Sequence, residues 1–328
     1  MACVTGTSRL LSLQQIHYTR RMQTTQTASV AAATTIGEAL ERVNAALEAS
    51  PVYYGHGTDN AWDEAVQLVL WCAGLPADSD DRVLRLPLAS VQAARAAEML
   101  RRRIEDRVPL PYLTGEAWFA GLRWRCDSRA IIPRSPIAEL LRAAYQPWYQ
   151  GPGPARVLDL CCGGGCIGLA TAWYVPDTEV DLVDLDADAL ALAAVNAREL
   201  GVEGRVRILQ SDLFAAVQGE RYDIIVTNPP YVDATDLAAM PAEYAHEPAL
   251  ALGSGADGLD LTRRILAQAV DHLQPHGLLV LEVGNSWEAL EEAFPQLPFT
   301  WVEFAHGGHG VCVLTAAELR ESRSAAGL

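Results

Sequence analysis

The stretch Asp223-Ile224-Ile225-Val226-Thr227-Asn228-Pro229-Pro230-Tyr231 limits the possible folds more than any other part of the chain. Its apolar, β-branched run predicts a strand buried on both faces of a parallel sheet. Two successive prolines end that strand, because proline has no N–H for the ladder and a fixed φ. An amide, two stiff prolines and an aromatic ring are thus held at a strand's carboxyl end, where open α/β sheets place their ligands.

The flanking pattern agrees. Beyond the linker Gly151-Pro152-Gly153-Pro154, strands are predicted at 156–160, 180–184, 206–209, 222–227 and 278–283. Helices are predicted between and after them, at about 166–173, 187–200, 259–273 and 286–294. This alternation predicts an α/β fold, a parallel sheet covered on both faces. Near the end, 299–304 and 311–314 flank Gly307-Gly308-His309-Gly310, which predicts an antiparallel hairpin at the sheet edge.

The N-terminal third reads as helical. Ile36, Leu40, Val43 and Leu47 recur at helical spacing. A second helix, 61–73, carries Trp62, Ala65, Val66, Val69 and Leu70 on one face and stops at Gly74. A third, from about 88 to 104, runs through Val91, Ala94, Leu100 and Ile104, with Arg101-Arg102-Arg103 as a solvated basic end. A hairpin about Gly121 follows, with Trp118, Phe119 and Trp124 as its core, then a helix from Ile137 to Tyr145 with Ser135 as N-cap. The expected layout is a disordered extension over 1–34 and a helical substrate-recognition domain over 35–115. A hairpin with a connecting helix over 116–150, a catalytic domain over 151–320 and a tail over 321–328 complete it.

Charge narrows the partners. With 25 Lys+Arg against 41 Asp+Glu, the net charge of -16 counts against a nucleic acid substrate and favours a basic partner. No apolar run approaches the ~20 residues needed to span a bilayer, so a cytoplasmic protein with no membrane contact is expected. Of the seven cysteines, Cys161, Cys162 and Cys166 cluster in a glycine-rich loop without a second set at metal spacing. Small thiols in a reducing compartment, and no metal, are expected.

The chemistry-bearing segments fall at strand ends. Val157-Leu158-Asp159-Leu160-Cys161-Cys162-Gly163-Gly164-Gly165-Cys166 reads as strand, glycine turn and helix, suited to a ligand touching main chain. It is not a dinucleotide fingerprint, since Gly163, Gly165 and Gly168 begin several residues after the strand. Asp184, ending the next strand, can accept both hydroxyls of a ribose; Asp186 beside it is either a second acceptor or the cap of the following helix. Asp212 can accept from an adenine amino group, with Leu213 packed on the ring. A planar amide nitrogen is a poor nucleophile, because its lone pair is delocalised. The Asn228 side-chain oxygen and the Pro229 carbonyl can accept its two N–H bonds and hold it for in-line attack, about 3–3.5 Å from the reacting carbon. As the nitrogen pyramidalises its protons become more acidic, so these acceptors favour the transition state over the ground state. Tyr231 supplies an aromatic wall, and the proton can be lost to water afterwards.

From about Leu110 onward the chain resembles the bacterial protein N5-glutamine methyltransferases, which have the class I, Rossmann-like fold. Asn228-Pro229-Pro230-Tyr231 carries the resemblance with Ile132-Pro133-Arg134-Ser135-Pro136, Asp184, Ser211-Asp212-Leu213-Phe214, His246-Glu247-Pro248, Leu252-Gly253-Ser254-Gly255-Ala256-Asp257-Gly258 and Glu282-Val283-Gly284-Asn285. It implies S-adenosyl-L-methionine as methyl donor and S-adenosyl-L-homocysteine as product. By resemblance, Asp159, Cys161, Cys162, Gly163, Gly165, Asp184, Asp212, Leu213 and Asn228 bind the cofactor. Asn228, Pro229, Pro230 and Tyr231 form the catalytic segment, and Arg134, His246 and Glu247 join Asn228, Pro229 and Tyr231 in binding substrate. Arg134-Ser135-Pro136 and His246-Glu247-Pro248 point to the branch that modifies large-subunit ribosomal protein three, with contact to ribosomal RNA secondary. The alternatives are the branch acting on the Gly-Gly-Gln of release factors, an adenine-N6 methyltransferase and a silent cofactor-binding scaffold. Where family loops carry Thr or Ser between glycines, this chain has Cys162 and Gly164.

Overall fold

The computed structural model describes residues 27–326. The chain divides into two compact units between Thr114 and Gly115.

In the first unit, α1 (Ile36–Glu48), α2 (Ala61–Ala73) and α3 (Ser90–Glu105) precede a short α4 (Leu110–Thr114). Thr35 and Asn60 cap α1 and α2 by accepting from the N–H groups of Glu38 and Asp63, and Gly74 closes α2 at φ 74°. Ile36, Leu40, Val43, Leu47, Leu68, Val69, Leu100 and Ile104 share one core. The sequence pattern misjudged two faces. Trp62 is 48% and Val91 70% exposed, and Ala94 is exposed too. Glu64 occupies the buried face of α2 instead, 2.6 Å from Arg103 Nε. The Arg103 guanidinium also donates to the Tyr53 carbonyl at 2.7 Å. Arg103 is thus a buried structural cation rather than part of a solvated run, since a charge out of water needs such partners.

In the second unit, β1 (Glu116–Phe119) and β2 (Leu122–Arg125) form the hairpin. Phe119 and Trp124 are buried, whereas Trp118, on the opposite face of the pleat, is 57% exposed. The next helix, α5 (Ala138–Arg142), is shorter than its pattern suggests, because Ala144 and Tyr145 adopt φ of 48° and 62°. The large sheet comprises β3 (Arg156–Leu160), β4 (Glu179–Asp184), β5 (Val206–Gln210), β6 (Tyr222–Thr227), β7 (Leu273–Glu282), β8 (Thr300–Trp301) and β9 (Val311–Thr315). Their order is β5-β4-β3-β6-β7-β9-β8, with β9 antiparallel to both neighbours and the β5-to-β7 ladders parallel. The glycine-linked pair is therefore an edge hairpin, although β8 keeps only two residues.

Helices α6 (Cys166–Tyr174), α7 (Ala187–Leu200), α8 (Ala234–Ala239), α9 (Asp260–Ala269), α10 (Trp287–Ala293) and α11 (Ala316–Ala326) accompany the sheet. Alternate residues of its strands feed two cores: Val157, Leu182, Ile224 and Val226 in one, Leu158, Val183, Ile225 and Leu279 in the other. The buried Leu319 brings α11 into the second core, where the sequence offered no element past 320.

Candidate active site

Strand order reverses between β3 and β6, the switch point at which such sheets open a crevice beyond their carboxyl ends. The Thr227 hydroxyl donates to the Leu160 carbonyl at 2.7 Å and ties these two ends together. The glycine loop after β3 is fixed from both sides. Cys162 N–H donates to the Val183 carbonyl, and Gly163 N–H to Asp184 Oδ2 at 2.8 Å. Gly168 N–H donates to Asp159 Oδ2 at 2.7 Å, and a Cβ there would stand 2.4 Å from Leu182 Cδ2, so only glycine fits. Asn196 of α7, a residue the sequence did not single out, clamps the loop to the hairpin. Its amide donates to the Gly164 carbonyl at 3.0 Å, and its oxygen accepts from Arg125 N–H at 2.8 Å.

The first cavity above this loop has a volume of about 420 Å³, within the range of small-molecule sites. Cys161, Cys162, Gly163, Asp184, Asp212, Leu213 and Asn228 line it; Gly165 and Asp159 do not. Cys161 and Leu213 sit at φ 60° and 48°, strain of the kind found at ligand sites. Asp184 accepts from the N–H groups of Gly163 and Asp186, leaving one lone pair on each oxygen for a pair of hydroxyls. Burial raises its pKa against those two bonds. Asp186 caps α7 by accepting from Asp188 N–H. Asp212 is drawn into a pair with Arg264, whose Nη2 lies 2.8 Å from both its oxygens. Asp159, behind the loop, keeps Oδ1 without a hydrogen-bond partner among the described residues, and burial pushes its carboxyl up to about 8.

The second cavity, about 380 Å³, is lined by Arg134, Ser135, Asn228, Pro229, Tyr231 and Glu282 among others. Asn228 borders both cavities, and no described residue satisfies its side chain by hydrogen bonding. Pro230 faces the first cavity, Pro229 and Tyr231 the second. The segment is held from behind: Val232 N–H donates to the Leu252 carbonyl, and the Ser286 hydroxyl to the Tyr231 carbonyl at 2.7 Å. Gly284, at φ 47°, makes room for the tyrosine ring, since a Cβ there would stand 2.5 Å from Tyr231 Cε2. Burial pushes the Tyr231 phenol upward and Glu282 to about 7, the latter against bonds from Ser135 and Tyr231.

Of the remaining expected substrate residues, Arg134 and Glu247 are occupied with each other. Glu247 is fully buried and also accepts from Ile132 N–H at 3.0 Å, while Arg134 lies over the Tyr244 ring. Their pair joins two loops of the cavity wall. His246 lines neither cavity. The sequence missed Ser135 and Glu282 as lining groups. The strand-end position of Glu282 inside an apolar run was the available signal. Among the described residues no group of His, Cys, Asp and Glu could hold a metal ion.

The sheet order, the glycine loop at the switch point and two cavities sharing one asparagine define a class I, S-adenosylmethionine-dependent methyltransferase. The first cavity suits that cofactor in volume, in its main-chain-lined loop and in the open lone pairs of Asp184. Residues 150–243 match the family model described as Methyltransferase small domain. Over 274 residues, 83% of this chain and 92% of the relative, the sequence is 46% identical to the ribosomal protein uL3 glutamine methyltransferase of Bordetella pertussis. It is 45% identical over 280 residues to the protein of the same name from Francisella tularensis subsp. tularensis, covering 85% of this chain and 89% of the relative. The chain belongs to the family of ribosomal protein uL3 glutamine methyltransferases. Among solved structures, a T. thermophilus 16S rRNA N2 G1207 methyltransferase in complex with AdoMet and guanosine aligns with TM-score 0.44 and 22% identity. That alignment covers 61% of this chain and 49% of the other.

Proposed function

We propose that the protein transfers a methyl group from S-adenosylmethionine to the side-chain nitrogen, N5, of a glutamine in ribosomal protein uL3. The observation that carries this reading is the placement of Asn228, with a hydrogen-bonding side chain left open, where a cofactor-sized cavity meets a second cavity. The 46% and 45% identity to relatives named for that reaction supports the choice of substrate. So does the net charge of -16, which suits a basic ribosomal protein.

When bound, S-adenosylmethionine supplies an electrophilic methyl group on a sulfonium. Asp184 would accept the ribose hydroxyls, and the Cys161-Cys162-Gly163 loop would hold the methionine part. The Leu213 side chain would border the adenine, with Asp212, shared with Arg264, at its edge. Asn228 Oδ1 and the Pro229 carbonyl accept the two N–H bonds of the glutamine and aim its nitrogen. Pro229 and Pro230 keep the acceptor direction fixed, and Tyr231 walls the planar amide. Arg134 and Glu247 shape the wall rather than bind the acceptor. We assign acceptor-protein recognition to the helical unit before Gly115 and place the reaction in the cytoplasm.

Intact-peptide mass spectrometry of free uL3 and of a release factor, each incubated with enzyme and cofactor, tests this. A single added methyl on a uL3 glutamine is expected. Methylation of the release factor alone would reassign the substrate.

A further inference from the structure

Glu282 ends β7 on the wall of the second cavity, is 4% exposed, and takes no part in the chemistry above. One of its oxygens accepts from the Ser135 hydroxyl. The other lies 3.4 Å from the Tyr231 hydroxyl, beyond the usual O–H···O length. A carboxamide brings two N–H bonds and one carbonyl oxygen. Asn228 Oδ1 and the Pro229 carbonyl can serve only the N–H bonds, so the oxygen needs a donor. Most donors around it are committed: Ser135 to Glu282, Ser286 to the Tyr231 carbonyl, Arg134 to Glu247, and His309 to Asn285 Oδ1. The Asn228 and Asn285 amides and the Tyr231 hydroxyl remain, and of these the Tyr231 hydroxyl stands 3.4 Å from Glu282.

We propose that Glu282 is a positioning residue that tunes the cavity for a carboxamide. It does so by deciding whether the Tyr231 hydroxyl gives its proton to Glu282 or to the oxygen of the bound glutamine. The proposal rests on the glutamine reading above. A neutral Glu282 donates to the Tyr231 oxygen, and the phenolic proton turns to the amide oxygen. An ionised Glu282 takes the phenolic proton, and the amide oxygen loses its donor. Burial holds Glu282 neutral up to about pH 7, opposed by bonds from Ser135 and Tyr231 and by the Arg134 charge. Around Glu282 stand Arg134 and Ser135 from the segment before α5 and Tyr231 from the segment after β6. The apolar Val311 lies opposite on β9, and Asp233, Asp236, Tyr244 and His309 line the same cavity.

The test follows methyl transfer to free uL3 by the full chain between about pH 6 and 8.5, separating acceptor KM from kcat. The wild-type acceptor KM is expected to rise severalfold as pH passes about 7. Glu282→Gln, always neutral and carrying an N–H donor, should flatten that rise. Tyr231→Phe should raise acceptor KM about tenfold below about pH 7 and much less above it, where the wild type has already lost the donor, with cofactor affinity within about twofold. If Glu282→Gln fails to bind cofactor as a folded protein, Tyr231→Phe against Asn285→Ala decides. A pH-independent wild-type KM, an unchanged rise in Glu282→Gln, or a raised KM in Asn285→Ala but not in Tyr231→Phe would each overturn the role of Glu282 and leave uL3 as substrate. Absence of uL3 methylation by the wild type would overturn both.

Discussion

The two cavities that meet at Asn228 are made in different ways. The cofactor side has a main-chain loop at its centre, where Asp184 is pinned by the N–H groups of Gly163 and Asp186, although Asp212 at its edge pairs with the Arg264 side chain. Its centre comes from the ends of β3, β4 and β5 and the turns just after them, and segments around Ile131 and Ser254 complete it. The acceptor side is built from side chains that meet across long sequence separations. Glu247 is 113 residues from Arg134, and Glu282 is 147 from Ser135. Local chain geometry can specify the first kind of wall, whereas the second exists only once the whole sheet has formed. The acceptor side is therefore where residue identity should decide specificity.

Substitutions on either side can break or sharpen that contrast. Asn228→Ala should give the largest effect, a loss of about a hundredfold in kcat with cofactor affinity kept within a few-fold. Turnover assays paired with isothermal titration would show it, and an equal loss of cofactor binding would erase the division between the two walls. Asp184→Ala should weaken cofactor binding about tenfold or more while leaving acceptor KM unchanged, because only bonds to a charged oxygen pair are lost. Titration calorimetry checks this. Glu247→Ala leaves Arg134 without its buried partner and should cost about 3 kcal/mol of stability, read from denaturant midpoints, with acceptor binding impaired before cofactor binding.

A further effect concerns pH. Asp159 titrates at about 8 in the folded chain, above its ordinary carboxylate value, because it is buried. Between those two values the folded state holds a proton that the unfolded state has released. Its contribution to stability is therefore fully present at acid pH and is lost as pH rises toward about 8. Asp159→Asn keeps an acceptor for Gly168 N–H and should flatten that fall. Thermal unfolding at several pH values would reveal it, and a parallel fall in the variant would exclude Asp159 as the source.

The same contrast explains what could be read in advance. The Asp223–Thr227 run and the prolines after it declare a buried strand with an abrupt stop, and the alternation around them declares the sheet. Glycines after one strand and an aspartate after the next mark the cofactor wall, because those features are local. Arg134 and Glu247 were legible as a pair of polar groups near the site, but not as partners of one another. Their contact depends on how two distant loops return to the sheet. Trp62 and Glu64 show the same limit within one helix. Periodicity placed the indole inside, but the buried Arg103 required a carboxylate there, and the helix face rotated accordingly.

The Asn196 clamp makes the hairpin an intrinsic optical gauge. Trp124 is 1% exposed, precedes the residue whose N–H Asn196 holds, and donates its own N–H to the carbonyl of Phe119, which lines the first cavity. A ligand that shifts the Gly164 carbonyl therefore tugs on the surroundings of a shielded indole. Its emission should respond to loading without any added label.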